Sequence, residues 1–206
     1  MFVNRHHIWA QIEDRFIFTQ YLINIFSVME KSHEENMVSI FADTAHKLAE
    51  GDKDVESSIK SQLSTIYYNS QDNKNIFYQA MLIMVFSYYE TSANLICQEL
   101  SISKNAKKDT ISSIFAKRHI YIPDYIKPSK RLLYEYVREL RNFTVHNNSI
   151  KPTPKQELVI KRLVKVFPEI KYENNEISIS GHKCISYFLM KEYDVLRYIC
   201  VALGYC

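Results

Sequence analysis

Three glycines serve the whole 206-residue chain, Gly51, Gly181 and Gly204, and no proline occurs before Pro123. A many-turned sheet protein needs more of both, because tight turns draw on positive φ and on the fixed φ of proline. The chain up to residue 122 therefore reads as long helices. Glycines this scattered cannot form a phosphate-cradling loop, which argues against ATP or GTP turnover. The four cysteines, Cys97, Cys184, Cys200 and Cys206, include no CxxC pair, and no secretory signal precedes the first helical pattern. They read as free cytosolic thiols, and the glycosylation-like triplets at 142–144 and 147–149 read as chance matches. Long hydrophobic runs are missing too. The most apolar stretch, Ala80 to Phe86, sits between Gln79 and Glu90 and is far too short to span a bilayer. A cytoplasmic protein with no membrane partner is expected.

What is present is an ordinary globular composition, 47% hydrophobic and 24% charged. The net charge of +3 hides an asymmetry. Residues 1–100 carry 7 Lys+Arg against 13 Asp+Glu, a net of −6, and residues 101–206 carry 19 against 10, a net of +9. A basic half raises the local concentration of a polyanion and contributes affinity that ignores sequence.

Periodicity predicts a single helical domain over 1–206, with N-terminal helices in 8–70, core helices in 74–146, and a hairpin and terminal helix in 170–203. Ile8, Ile12, Phe16, Leu22 (with Ile23) and Phe26 trace the face of a first helix through Met29. Ser32 or Asn36 offers a cap for a second, ending at Gly51, and Asp54 one for a third. The fourth, 74–100, lacks Gly and Pro and is apolar nearly all round through Phe86, so it should lie at the centre, with Ala80, Ile83, Met84, Ser87, Tyr88, Thr91, Leu95 and Ile96 keeping its period. Lys104 to Lys117 reads as a shorter helix. Ile120 to Pro128 is an aromatic loop held extended by two prolines. Ser129 is a candidate N-cap for the helix that follows, whose apolar positions run to Phe143, with Asn147-Asn148 ending it. Thr153-Pro154 with Gln156 has the form of a capping box, and Pro168 closes that helix. Two alternating runs flank Asn174-Asn175 in 170–180, a hairpin with a type I′-compatible turn.

One stretch carries concentrated chemistry. Arg141-Asn142-Phe143-Thr144-Val145-His146 places a permanent cation, a carboxamide and a histidine at a helix end in the basic half. Arginine can hold a phosphate through several donors, and histidine moves protons near neutral pH. Asn142 and His146 share a helix face, but Arg141 is about 140° round from His146 at ~100° per residue. Convergence on one ligand needs the arginine to wrap, the last turn to loosen, or two copies to meet at a seam. A histidine in the last turn also complements the helix dipole without doing chemistry, so both readings stay open. Arg138 extends the patch, with Glu135 and Glu139 as its expected partners. Lys130, Arg131 and Tyr125 lie just upstream, where exposed rings beside cations can stack on unpaired bases. For metals the pattern is poor: His33-Glu34-Glu35 is not HExxH, and His182 and Cys184 have no partner pair nearby. No metal and no cofactor is expected.

Leu140-Arg141-Asn142-Phe143-Thr144-Val145-His146-Asn147 resembles the signature of the HEPN superfamily: an Arg, four to six intervening residues and a His, often with a polar residue directly after the Arg. The long helix 74–100 ahead of the motif helix, and the hairpin and final helix after it, fit the resemblance. It implies an all-α bundle and a metal-independent endoribonuclease, commonly dimeric with the motif near the interface. The family also implies a toxin or an effector of anti-phage defence, with an antitoxin or defence-system partner. Arg141 would stabilise the phosphate, His146 would move protons, and Asn142 would assist. A non-catalytic module of the same family, binding RNA, a nucleotide or a partner protein, is the alternative, and a scaffold bundle whose basic half docks an acidic partner is the third.

Overall fold

The computed structural model describes residues 6–48, 53–69, 71–102, 110–146 and 152–206. Within the helices the side chains of residues 6, 33–35, 38, 41, 48, 55, 63–69, 71–73, Val145 and His146 lie outside the described residues. The described chain is a helical bundle with one small antiparallel hairpin placed before the last helix, as the periodicity predicted.

Helix α1 (His6–Leu48) is a single rod of 43 residues, roughly 65 Å long at 1.5 Å per residue. The expected break at Ser32 or Asn36 does not occur. Neither residue meets a Gly or Pro, and the Asn36 amide donates at 3.5 Å to the Ser32 hydroxyl one turn back instead of capping a new helix. The N-terminal half packs through Ile12, Phe16 and Ile23, with Phe16 stacked on Tyr193, centroids 4.1 Å apart. Met29, expected on the buried face, is exposed. Helix α2 (Lys53–Asn69) pairs with α1.

Helix α3 (Gln71–Glu99) is central, touching α1, α2, the short α4 (Thr110–Lys117), the last helix and the hairpin. Its buried face runs through Tyr78, Met81, Leu82, Val85, Phe86, Tyr89, Ala93 and Ile96. Ala80, Ser87 and Thr91 point outward, so the predicted phase was displaced by about one residue. A helix apolar on nearly every side has no unique moment from which to read that phase. Among the described residues it is the one helix long and apolar enough to cross a membrane, and over half of its apolar window is buried inside the fold.

The motif helix begins with α5 (Lys127–Arg131), widens into a π-helical segment (Leu132–Val137) and continues as α6 (Arg138–His146). Pro128 occupies its first turn, where a missing N–H costs nothing. Ser129 is buried inside that turn and Ile126 holds the N-cap position without a side-chain bond, so the expected serine cap is not formed. The π segment buries Leu133 and Val137, and α6 buries Leu140 and Phe143. Its end is marked by the Arg138 N–H reaching the Leu133 carbonyl five residues back.

Thr153 caps α7 (Pro154–Val166) in a full capping box with Gln156. Strands β1 (Ile170–Glu173) and β2 (Glu176–Ile179) pair with Ile170 opposite Ile179. Asn174 and Asn175 both take positive φ, 52° and 64°, as a type I′ turn demands. Helix α8 (Lys183–Leu203) buries Ile185, Phe188, Leu189, Val195, Leu196 and Ile199 against α1, α3 and α5. Gly204 ends it at φ 70°, and the Tyr205 N–H returns to the Cys200 carbonyl at 2.8 Å.

Candidate active site at the end of the motif helix

Arg141 lies on the side of α6 that meets α3. Its guanidinium sits over the Phe86 ring, 5.4 Å from the centroid. Nη1 donates to the Asn142 side-chain oxygen at 3.0 Å. Nη2 is 4.0 Å from Glu90 Oε2, and the Arg141 side chain keeps 26% of its surface exposed. Nε is buried without a hydrogen-bond partner. Among the described residues, its recorded hydrogen bond goes to a side chain and not to a backbone carbonyl. Arg141 and Asn142 thus form one unit, held from behind by an aromatic ring.

Helix α6 keeps α-helical backbone through His146. Through His146 the regular backbone keeps the two positions about 140° apart on the helix surface; the expected loosening near Asn147 lies outside the described residues. The His146 side chain itself lies outside the described residues. Thr144 Oγ1 donates back to the Leu140 carbonyl at 2.9 Å, one turn earlier.

The remaining residues of the expected RNA patch divide between sides of the helix. Arg138 stacks over Tyr134, 5.4 Å from its centroid. Both line a small cavity of about 110 Å³ with Phe86 and Glu90, the two residues that flank Arg141. Glu135 and Glu139 are not its ion-pair partners. Glu135 pairs with Arg131 at 2.9 Å and Glu139 with Lys155 of α7 at 3.1 Å. Arg131 and Tyr125 instead line a cleft of about 620 Å³ toward α7 and α8. Tyr125 is 71% exposed. Lys130 joins neither group; its ammonium lies over the Phe115 ring at 5.6 Å. A further cavity of about 800 Å³, between α1, α3 and the hairpin, has mixed charge and includes none of the motif residues.

Sequence reasoning missed a buried polar cluster where α1, α3 and α8 meet. Glu192 is fully buried, and both of its carboxyl oxygens lack partners, as do Arg15 Nη1, Tyr88 Oη and Ser92 Oγ. Burial first, and then the charge of Glu90, pushes the Glu192 carboxyl well above its ordinary range. Tyr88 is pushed up by burial and by Glu192. Glu90 therefore acts on both Arg141 and Glu192. The available signal was that position 192 falls on the Leu189–Leu196 face of an otherwise apolar stripe, where a carboxylate is out of place.

Cys184 donates to the Gly181 carbonyl at 3.7 Å and is pushed up by burial to about 12. His182 meets Ser27 at 3.4 Å. Among the described residues, no three His, Cys, Asp or Glu side chains gather as a metal site would require. No protein-family model, no curated protein and no solved structure matches this chain.

Proposed function

We propose that the chain is a HEPN-like, metal-independent endoribonuclease acting through Arg141 and His146, with Asn142 positioning the arginine. The observation that carries the reading is the Arg141–Asn142 unit. A guanidinium fixed over Phe86 and tied to Asn142 stands five residues before a terminal-turn histidine, with Nη2 4.0 Å from the Glu90 carboxylate. Such a cation suits the charge that builds on phosphoryl oxygens in a transition state.

RNA supplies its own nucleophile. A base removes the 2′-hydroxyl proton, the 2′-oxygen forms a bond to phosphorus, and the bond from phosphorus to the 5′-oxygen breaks. The leaving 5′-oxygen takes up a proton, which gives a 2′,3′-cyclic phosphate and a 5′-hydroxyl. His146 serves as base or as acid, and Arg141 neutralises the phosphoryl oxygens. Because the two positions diverge on a regular helix, the working unit is a homodimer in which Arg141 of one copy and His146 of the other share a phosphate. Growth inhibition or anti-phage defence, restrained by a partner protein, is the role such an activity fits.

The test is RNA cleavage in EDTA by the wild type, Arg141→Ala and His146→Ala. Cleavage with cyclic-phosphate ends, reduced about 10²–10⁴-fold by either change, supports the reading. Activity that vanishes with the chelator or survives both substitutions overturns it. RNA retention without cleavage by the wild type points instead to the non-catalytic binding module.

A further inference from the structure

The cleft bounded by the start of the motif helix, α7 and α8 is separate from the Arg141 face and has its own chemistry. Its volume of about 620 Å³ lies within the range of small-ligand sites. Leu132 and Leu163 contribute apolar surface and Tyr187 an accessible ring, 45% exposed. Phe167 packs on Tyr187 at a tilt, centroids 5.5 Å apart, and the Lys191 ammonium lies 5.6 Å from the same ring's centroid, so a base stacked there also meets that cation. The charge is of one sign. Arg131, Arg162, Lys165 and Lys191 all line the cleft, and among the described residues no carboxylate does.

Two of those cations are balanced from outside, Arg131 by Glu135 and Lys191 by Asp194 at 3.1 Å. Arg162 is engaged by a neutral group, donating from Nη1 to the Tyr136 hydroxyl at 3.0 Å. That contact orients the guanidinium fork and leaves its other donors for an anion. A planar apolar surface beside several cations matches a ligand with a flat ring and a phosphate.

We propose that this cleft binds a nucleotide unit, its base stacked against Tyr187 and its phosphate held by Arg162 and Lys165. The unit comes either from a free mononucleotide or from a single RNA strand. An acidic peptide would satisfy the cations but leave the aromatic wall unused. The proposal does not rest on the nuclease reading, because the cleft shares no lining residue with the Arg141–Asn142 unit.

The experiment uses the full chain and two probes that cannot be cleaved, 5′-AMP and a fluorescent 2′-O-methyl oligonucleotide whose blocked 2′-oxygen removes the nucleophile. Titration of wild type, Tyr187→Ala and Arg162→Ala/Lys165→Ala is followed over a range of salt. All three positions are exposed, so circular dichroism should show intact folds. Stacking on an aromatic wall predicts a loss on the order of tenfold for Tyr187→Ala. Removing two phosphate contacts predicts at least a tenfold loss and a salt slope lower by about two. Saturable AMP binding that the oligonucleotide does not exceed identifies the free nucleotide as the source. Much tighter, steeply salt-dependent oligonucleotide binding identifies the strand. Binding that the substitutions leave unchanged, absence of binding by both probes, or equal competition by polyglutamate overturns the proposal.

Discussion

Arg141 Nη2 stands 4.0 Å from Glu90 Oε2, the long limit of an ion pair, with the Glu90 side chain 52% exposed. A pair so long and so wet contributes little to stability. In the proposed site its effect is opposed to function, since a carboxylate beside the phosphate position repels the substrate. Glu90→Gln should therefore leave urea unfolding within about 0.5 kcal/mol of wild type. RNA affinity or kcat/KM should rise a few-fold, most at low salt, where charges are least screened. A drop in cleavage would mean that Glu90 holds Arg141 in place and that the repulsion is not what matters.

If Arg141 and His146 meet across two copies, the defects should complement. Arg141→Ala and His146→Ala proteins, each inactive alone, are mixed after partial denaturation and refolding. Random pairing makes half of the dimers mixed, and each mixed dimer carries one intact combination of arginine and histidine. Activity should recover to about a quarter of wild type, far above the ~10²–10⁴-fold losses of the separate variants. No recovery from a demonstrably mixed dimer would place both residues in one copy, with the arginine wrapping round its helix.

Legibility followed the range of the interaction. Thr153 with Gln156 and Asn174-Asn175 were readable because cap and turn geometry is set within four residues. Tertiary contacts decided the rest. The break expected at Ser32 or Asn36 was absent because cap residues start a helix only where the chain has reason to stop, and no Gly or Pro supplied one. Ser129 was drawn into the core within the first turn of a helix that begins at Lys127-Pro128. The phase of α3 was hidden by its apolar circumference, and the π-helical segment has no local signature. At the candidate site, Arg141 and Asn142 were legible as neighbours. Phe86 and Glu90, fifty-odd residues away, were not, and neither was the cleft that gathers Arg162, Lys165 and Lys191 from α7 and α8.

Asn75 of α3 ties the hairpin to the bundle. Its side-chain oxygen accepts from the Ile179 N–H at 2.9 Å, and Gln79 donates to the Ile177 carbonyl at 2.9 Å. These amides satisfy an edge of β2 that, among the described residues, has no further strand to pair with. Asn75→Ala leaves the Ile179 N–H without its partner, at a cost of about 1–2 kcal/mol. For a chain of this size that is a fall in Tm of roughly 3–6 °C. Hydrogen exchange should show lost protection at Ile179 and Ile177 before the rest of the bundle. An unchanged Tm would mean that water replaces the amide without penalty.

Glu192 should make stability fall as pH rises. Its carboxyl is buried without partners, and its folded pKa is raised above the ordinary 4.5, by burial first and then by Glu90. Below about pH 4.5 both folded and unfolded chains hold the proton, and the group contributes no pH dependence. Above it the unfolded chain ionises while the folded one does not, so the unfolded state gains until pH reaches the folded pKa. Glu192→Gln cannot ionise and removes this one contribution. Relative to wild type, the variant should gain stability by about 1.4 kcal/mol per pH unit above 4.5, levelling off at the folded pKa. Referencing both proteins to pH 4 cancels the fixed cost of an unsatisfied amide. Urea titrations from pH 4 to 8 decide the matter: parallel stability curves, or a variant that loses ground as pH rises, would mean that Glu192 ionises in place and that Arg15 turns to meet it.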